Sequence, residues 1–227
     1  MYVFDELRAV HLRQELKATR PTITSLELAV GGLSKPSKMP WYGYSLPASA
    51  CQVGSRLRRV PGSVCSQCYA HKGRYVFKNV QDAMQRRLLA LSDLELWAAN
   101  MVILLERKSN GELSWFRWHD SGDLQSRGHL LSIIWIARSL PHIKFWLPTK
   151  EYGLAQEIVD SKIFGTPNLT IRVSAPGIGQ VLEHELLTSS VGAGSGHRCP
   201  ASTQGGQCGD CRACWHRGVE NVDYPLH

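Results

Sequence analysis

Between Leu113 and Ser174 the chain switches hydrophobic period again and again, and that alternation confines it to one fold class. Ser114–His119 is a short run rich in aromatics, Asp120-Ser121-Gly122-Asp123 is a turn-type cluster, and Ser126–Leu140 carries Leu130, Leu131, Ile133, Ile134, Ile136 and Ala137. The last pattern is that of a largely buried helix. Pro141 stops it, Ile143–Leu147 reads as a second strand, Tyr152–Val159 as a second helix and Asn168–Val173 as a third strand. Strands separated by helices need crossover connections, so the expected fold is α/β, with a parallel sheet that is open or wrapped into a partial (β/α) barrel.

Upstream, Asn79–Leu91 and Ser92–Arg107 read as helices, the second opened by Ser92-Asp93-Leu94-Glu95, which fits a capping box. Thr24–Val30 reads as a strand. Ser34–Ser55 holds Pro36, Pro40 and Pro47 among Trp41, Tyr42 and Tyr44 and reads as an ordered loop pinned by aromatics. Ser189–Gly196 is small and flexible, which suggests an α/β body over residues 1–188 and a cysteine-rich C-terminal extension over 189–227 packed on it. A chain of 227 residues buries a core without covalent staples, and 43% hydrophobic with 20% charged residues excludes wholesale disorder, collagen and coiled coil. Met1–Arg20 has charges scattered among its apolar residues, and Leu130–Leu140 is interrupted by Arg138. Neither a secretory signal nor a membrane span is expected, which points to a cytoplasmic protein with reduced thiols.

Seven cysteines are an odd number, so disulfides alone cannot account for them. Cys199-Pro200 followed by Cys208, Cys211 and Cys214 makes a C-x8-C-x2-C-x2-C pattern with four potential ligands. Three thiolates at two-residue spacers are associated with a [4Fe–4S] cluster, whereas a single zinc ion more often takes cysteines in pairs; zinc and free structural thiols stay open as alternatives. Cys51, Cys65 and Cys68 form a second group, C-x13-C-x2-C, with three thiolates. It could hold a cluster with one open iron, recruit His71 or His119, share a site with the other group, or consist of buried and loop thiols.

Parallel α/β folds bind ligands beyond the C-terminal ends of their strands. Those ends carry His119, Asp120 and Asp123, then Thr149 and Lys150, then Arg172 and Ser174. His119, Asp120, Asp123 and Lys150 are accordingly candidate catalytic residues for redox or radical chemistry; the plainer reading has the aspartates capping the next helix and His119 hydrogen-bonded in the core. Charge adds a further site. The chain has 26 Lys and Arg against 19 Asp and Glu, a net +7, and 8 of those cations with 1 acid fall between Cys51 and Ala90, which leaves the remainder balanced. Arg58, Arg59 and Arg74 lead this segment as candidate cofactor-binding residues. With Tyr69, Tyr75 and Phe77 interleaved, it suits nucleic acid or a small anionic ligand, or it compensates the charge of a thiolate-bound cluster.

Cys65-Ser66-Gln67-Cys68-Tyr69-Ala70, Arg117 to Leu124, Pro148-Thr149-Lys150, and Cys199-Pro200 with Cys208, Cys211, Cys214 and Trp215 together resemble the bacteriophage family called gene product 88. The resemblance runs from about residue 35 to 216 and implies a phage-encoded protein acting in the host cell. In layout the chain is also distantly similar to radical S-adenosylmethionine enzymes, which are parallel α/β barrels with three cluster-binding cysteines near the first strand and often a cysteine-rich C-terminal extension. That similarity implies a [4Fe–4S] cluster more directly than it implies S-adenosylmethionine. The first spacer here is thirteen residues, Tyr69 follows Cys68 instead of preceding it, and only Ser121-Gly122-Asp123 stands near the place of the cofactor-binding Gly-Gly-Glu.

Overall fold

Seven parallel strands build one sheet in the order β1-β2-β3-β4-β5-β7-β6. They are β1 (Gly43–Tyr44), β2 (Ser114–Trp118), β3 (Ile143–Thr149), β4 (Leu169–Ser174), β5 (Leu187–Val191), β6 (His197–Arg198) and β7 (Asn221–Tyr224). The computed structural model describes residues 4–161 and 166–226; residues 1–3 of the segment read above for a signal sequence lie outside them. Seven helices accompany the strands among the described residues: α1 (Glu6–Thr19), α2 (Ile23–Ala29), α3 (Gln52–Leu57), α4 (Lys78–Ala90), α5 (Leu94–Ser109), α6 (Arg127–Ser139) and α7 (Tyr152–Asp160). With β1 and β6 at the two edges the sheet is open. No single helix among the described residues is long and apolar enough to cross a membrane.

Strand order follows sequence order from β1 to β5, and right-handed crossovers between sequential parallel strands place their helices on the same face. The burial pattern agrees. Phe116 and Trp118 of β2, Ile143, Phe145 and Leu147 of β3 and Leu169 of β4 share one core with Trp97 and Met101 of α5, Ile133 and Ile136 of α6 and Ile158 of α7. The intervening residues turn to the other face. There Trp146 joins Ala213, Cys214, Trp215 and Val222 in a second, smaller cluster, with Trp115, Cys199, Cys211 and Tyr224 packed around it. Helices therefore cover one face, and the cysteine-rich segment covers the other.

The expected helices and strands between residues 79 and 173 all form, but four readings are corrected. Thr24–Val30 is not a strand: Thr22 caps α2, its Oγ1 accepting from Ser25 N at 3.1 Å, and the β-branched run around it imitated strand composition. The helix start lies one residue later than expected and is held by a single side-chain cap rather than a capping box. Asp93 is the N-cap of α5 and accepts from Leu96 N at 3.0 Å, while Glu95 accepts from Arg8 Nη1 at 2.6 Å and from Asp5 N at 2.8 Å, so it clamps α1 to α5. The segment 34–55 contains β1 and the start of α3 rather than loop alone. Finally, Ser189 and Ser190, read as part of a flexible link, pair with Val222 and Asp223 inside the sheet. Their hydroxyls hid a buried strand, since Ser190 Oγ donates to Asp223 Oδ1 at 2.8 Å and the polar groups satisfy one another. The sheet thus runs through residue 188 without a break.

Candidate metal centres

The three-cysteine group is assembled where β1, β2 and β3 end. Cys51 is the N-cap of α3, and Gly54, one turn on, packs against both thiols: a Cβ there would stand 3.0 Å from Cys51 Cβ, 3.5 Å from Cys51 Sγ and 3.7 Å from Cys65 Sγ. Val64 N donates to Pro176 O at 2.9 Å, which fastens the Cys65–Cys68 turn to the segment after β4. Burial, with Asp123 and the Cys68 and Cys65 thiols adding, pushes the Cys51 thiol up to about 12. Cys65 is raised by burial too, against the pull of Lys150. Burial lowers Lys150, and Cys65, Asp123, Cys68 and Cys51 oppose that shift. One ammonium therefore serves three thiols and a carboxylate.

Asp123 is fixed by three donors, Leu124 N at 2.7 Å, Thr149 Oγ1 at 2.7 Å and Lys150 N at 2.8 Å, and burial still raises its carboxyl to about 6. It ties the end of β2 to the end of β3 and does not cap α6; Ser126 does that, accepting from His129 N at 3.1 Å. Glu151 accepts from Val53 N at 2.9 Å and so anchors the first turn of α3 beneath Cys51. Gly122 has φ +79°, and a Cβ on it would stand 2.5 Å from Leu46 Cβ. Only glycine lets the loops after β1 and β2 touch here.

The four-cysteine group lies on the sheet face away from the helices. Cys199 N donates to Asp223 O at 2.8 Å, Cys208 N to Lys38 O at 3.0 Å and Cys211 N to Cys208 O at 3.0 Å. Cys211 Sγ is 3.4 Å from His197 Nε2, and Cys214 Sγ is 3.2 Å from Tyr224 Oη. Burial raises Cys208, with Cys199 adding, and raises Cys214 to about 12. Arg172, expected at a strand end, is instead wholly buried within β4. Its guanidinium donates to the carbonyls of Cys214 (3.0 Å), Ala213 (3.0 Å), His216 (2.9 Å), Thr188 (3.2 Å) and Glu220 (3.3 Å), which moors the knuckle to the sheet.

Arg117, which the sequence reading passed over, stands between the two groups. It alternates with Phe116 and Trp118 on β2, so it faces away from the helices, and its guanidinium lies 4.5 Å from the Trp146 ring centroid. Burial alone would lower its pKa; Tyr69, Asp120, Tyr224 and Tyr75 outweigh that and raise it. Its charge also acts on Cys208 and Cys214. Tyr69 Oη donates to the Asp120 carbonyl and Tyr75 Oη to Asp120 Oδ2 at 2.8 Å, so Asp120 is bound into this network. A cation in an otherwise apolar strand was the available signal. His119 goes elsewhere: its Nδ1–H donates to Tyr44 O at 2.9 Å, its ring contacts those of Tyr44, Trp118 and His129, and burial lowers it to about 4.

The basic segment divides. Arg87 is buried, donating to Gly32 O at 2.7 Å, Ser45 Oγ at 2.6 Å and Leu33 O at 3.1 Å, and leaves the surface set. Lys78 pairs with Asp82 at 2.7 Å. Arg58, Arg59 and Arg74 are exposed.

All seven cysteines are free thiols. Among the described residues no three His, Cys, Asp or Glu side chains are gathered as a ready set around a single ion. As possible donors the two groups differ: three mutually interacting thiols beside one ammonium, and four thiols bordered by buried donors. Arg117 Nε and Trp146 Nε1 are buried near the second group without a hydrogen-bond partner among the described residues.

Comparison with curated proteins and with solved structures returned no significant match. A family model described as gene product 88 matches residues 12–192, which include β1 to β5, the three-cysteine group and Arg117. The chain therefore belongs to the gene product 88 family of bacteriophage proteins.

Proposed function

We propose that this protein is an iron–sulfur protein with a [4Fe–4S] cluster held by Cys199, Cys208, Cys211 and Cys214, and a second at Cys51, Cys65 and Cys68. The observation that carries the reading is the partition of the thiols in space. Cys51 acts electrostatically on Cys65 and Cys68, Cys208 on Cys199 and Cys211, and Cys214 on Cys199, which gives a set of three and a set of four. Four thiolates close a cube, whereas three leave one iron for an outside ligand. Clusters at such sites supply one-electron chemistry.

This chain's residues would prepare that chemistry in distinct ways. Lys150 offsets thiolate charge at the open site and is a cation there that can pass a proton. Asp123 holds the ends of β2 and β3 in register, and Glu151 holds α3 and with it Cys51. Arg117 carries positive charge between the two sites, and its free Nε–H is placed to lower the negative charge felt at the closed one.

The test is elemental and spectroscopic. Protein purified without oxygen should be brown, show a broad visible absorption band, and contain iron and acid-labile sulfide in equal amounts. Cys65→Ser and Cys211→Ser should each remove one share of the iron and leave the other. Colourless protein carrying zinc, or protein with no bound metal at all, would overturn the reading.

A further inference from the structure

Beside the three-cysteine group, α3 and the turns that follow it carry a surface that the cluster reading leaves unused. Arg58, Arg59, His71, Ser49 and Ser55 line a hollow. Arg58 Nη1 lies 3.4 Å from His71 Nδ1, and burial followed by the Arg58 charge lowers His71, as expected where no acid is near. Arg56, Arg58, Arg59, Lys72 and Arg74 form no salt bridge among the described residues, and the stretch 56–74 that holds all five contains no Asp or Glu. Five exposed cations with no carboxylate make an anion-binding surface, and two hydroxyls in the hollow add donors that suit phosphate oxygens.

The same stretch exposes apolar rings and branches. Phe77 is 57% exposed, Val76 55%, Val60 49% and Tyr69 44%. Tyr69 shares one turn with His71 of the hollow, Tyr69 and Tyr75 pack with ring centroids 5.5 Å apart, and Gln81 Nε2 donates to Tyr75 O at 2.5 Å, which seats the turns on α4. A small anion would engage the arginines and leave the rings in water. A duplex would present phosphates but keep its bases stacked out of reach. A single strand satisfies both features at once, with phosphates on the arginines and unstacked bases on Phe77 and Tyr69.

We infer that the face formed by residues 56–77 binds single-stranded nucleic acid, with one backbone phosphate in the hollow of Arg58, Arg59, Ser49 and Ser55. It lies next to the three-cysteine group, since Ser55 follows the Gly54 that packs on Cys51 and Cys65. This inference does not depend on iron: none of the contacts it uses involves a thiol, so it can fail or hold separately from the cluster.

The probe is a fluorescent mixed-sequence oligodeoxynucleotide of about 16 nucleotides, titrated with the full chain at several salt concentrations. Binding should weaken as salt rises, and the double variant Arg58→Ala, Arg59→Ala should bind at least about tenfold more weakly and flatten the logarithmic salt slope by about 1.4. Phe77→Ala should weaken binding several-fold while leaving the slope unchanged. Lys17→Ala, the same kind of charge loss on α1, should change nothing. No binding at low salt would overturn the inference, as would equal binding by the double variant, or tighter binding of a duplex of the same length. Direct binding of pyrophosphate, measured by calorimetry, with no oligonucleotide binding would reassign the hollow to a small phosphate ligand and overturn it equally.

Discussion

Single buried polar residues set how this molecule responds to pH and to loss of charge. His119 has a folded pKa near 4 against an ordinary value of 6.5. The folded state keeps the ring neutral, so its contribution is complete above pH 6.5 and is lost as pH falls from 6.5 towards 4, a swing of about 3 kcal/mol. Asp123, raised to about 6, works in the opposite sense over part of that range, favouring the fold at low pH and losing that advantage as pH rises through 6. The difference between variants isolates the histidine. In urea denaturation at pH 4.5 and pH 7, His119→Leu should show a clearly smaller loss of stability on acidification than the unaltered chain, and an equal loss would contradict the neutral buried ring. Arg117→Met should lower the unfolding free energy by about 3 kcal/mol, because it strands Asp120 and its tyrosines without their cation. Combined with Asp120→Asn it should cost less than the sum of the two single changes; simple additivity would show that the two do not interact.

At the scale of elements, what the sequence disclosed and what it concealed follow from one physical distinction. Where burial is apolar, the period is visible: α6 shows Ile133, Ile134 and Ile136, and β3 shows Ile143, Phe145 and Leu147, and both lie where periodicity places them. Where burial is polar the signal vanishes. β5 is Leu-Thr-Ser-Ser-Val, with its hydroxyls answered by Asn221, Ser174 and Asp223, and no single-sequence pattern marks such a strand. The cysteine spacings showed which thiols could cooperate, yet not that Arg117 stands between the two groups, because the contact joins β2 to residues far along the chain. His119 and Arg172 look alike in sequence, as polar residues near strand ends, and diverge only by which face of the sheet each enters. Two junctions can be tested directly. Gly122→Ala should destabilise by at least about 2 kcal/mol, read as a lowered thermal midpoint, since both φ and the approach of Leu46 forbid the methyl group. Asp93→Ala should cost about 1 kcal/mol through the lost α5 cap, with some further loss from the broken Arg8–Asp93 pair.

For the molecule as a whole, the knuckle and the sheet cannot be taken apart. β7 lies between β5 and β6 although it is the last of the seven strands in sequence, and Arg172 in β4 holds carbonyls supplied by residues 213–220. A chain cut after Gly196 should therefore show no cooperative unfolding transition, and a sharp transition from that fragment would prove the body self-sufficient. The same guanidinium also carries a consequence in time. While the chain emerges from the ribosome, β2, β3 and β4 can pair early, but Arg172 then lacks four of its five carbonyl acceptors and stays partly hydrated, holding that face of the sheet open. Closure waits until residues 213–224 have been made, so Cys199, Cys208, Cys211 and Cys214 settle onto the sheet only as β7 joins β5.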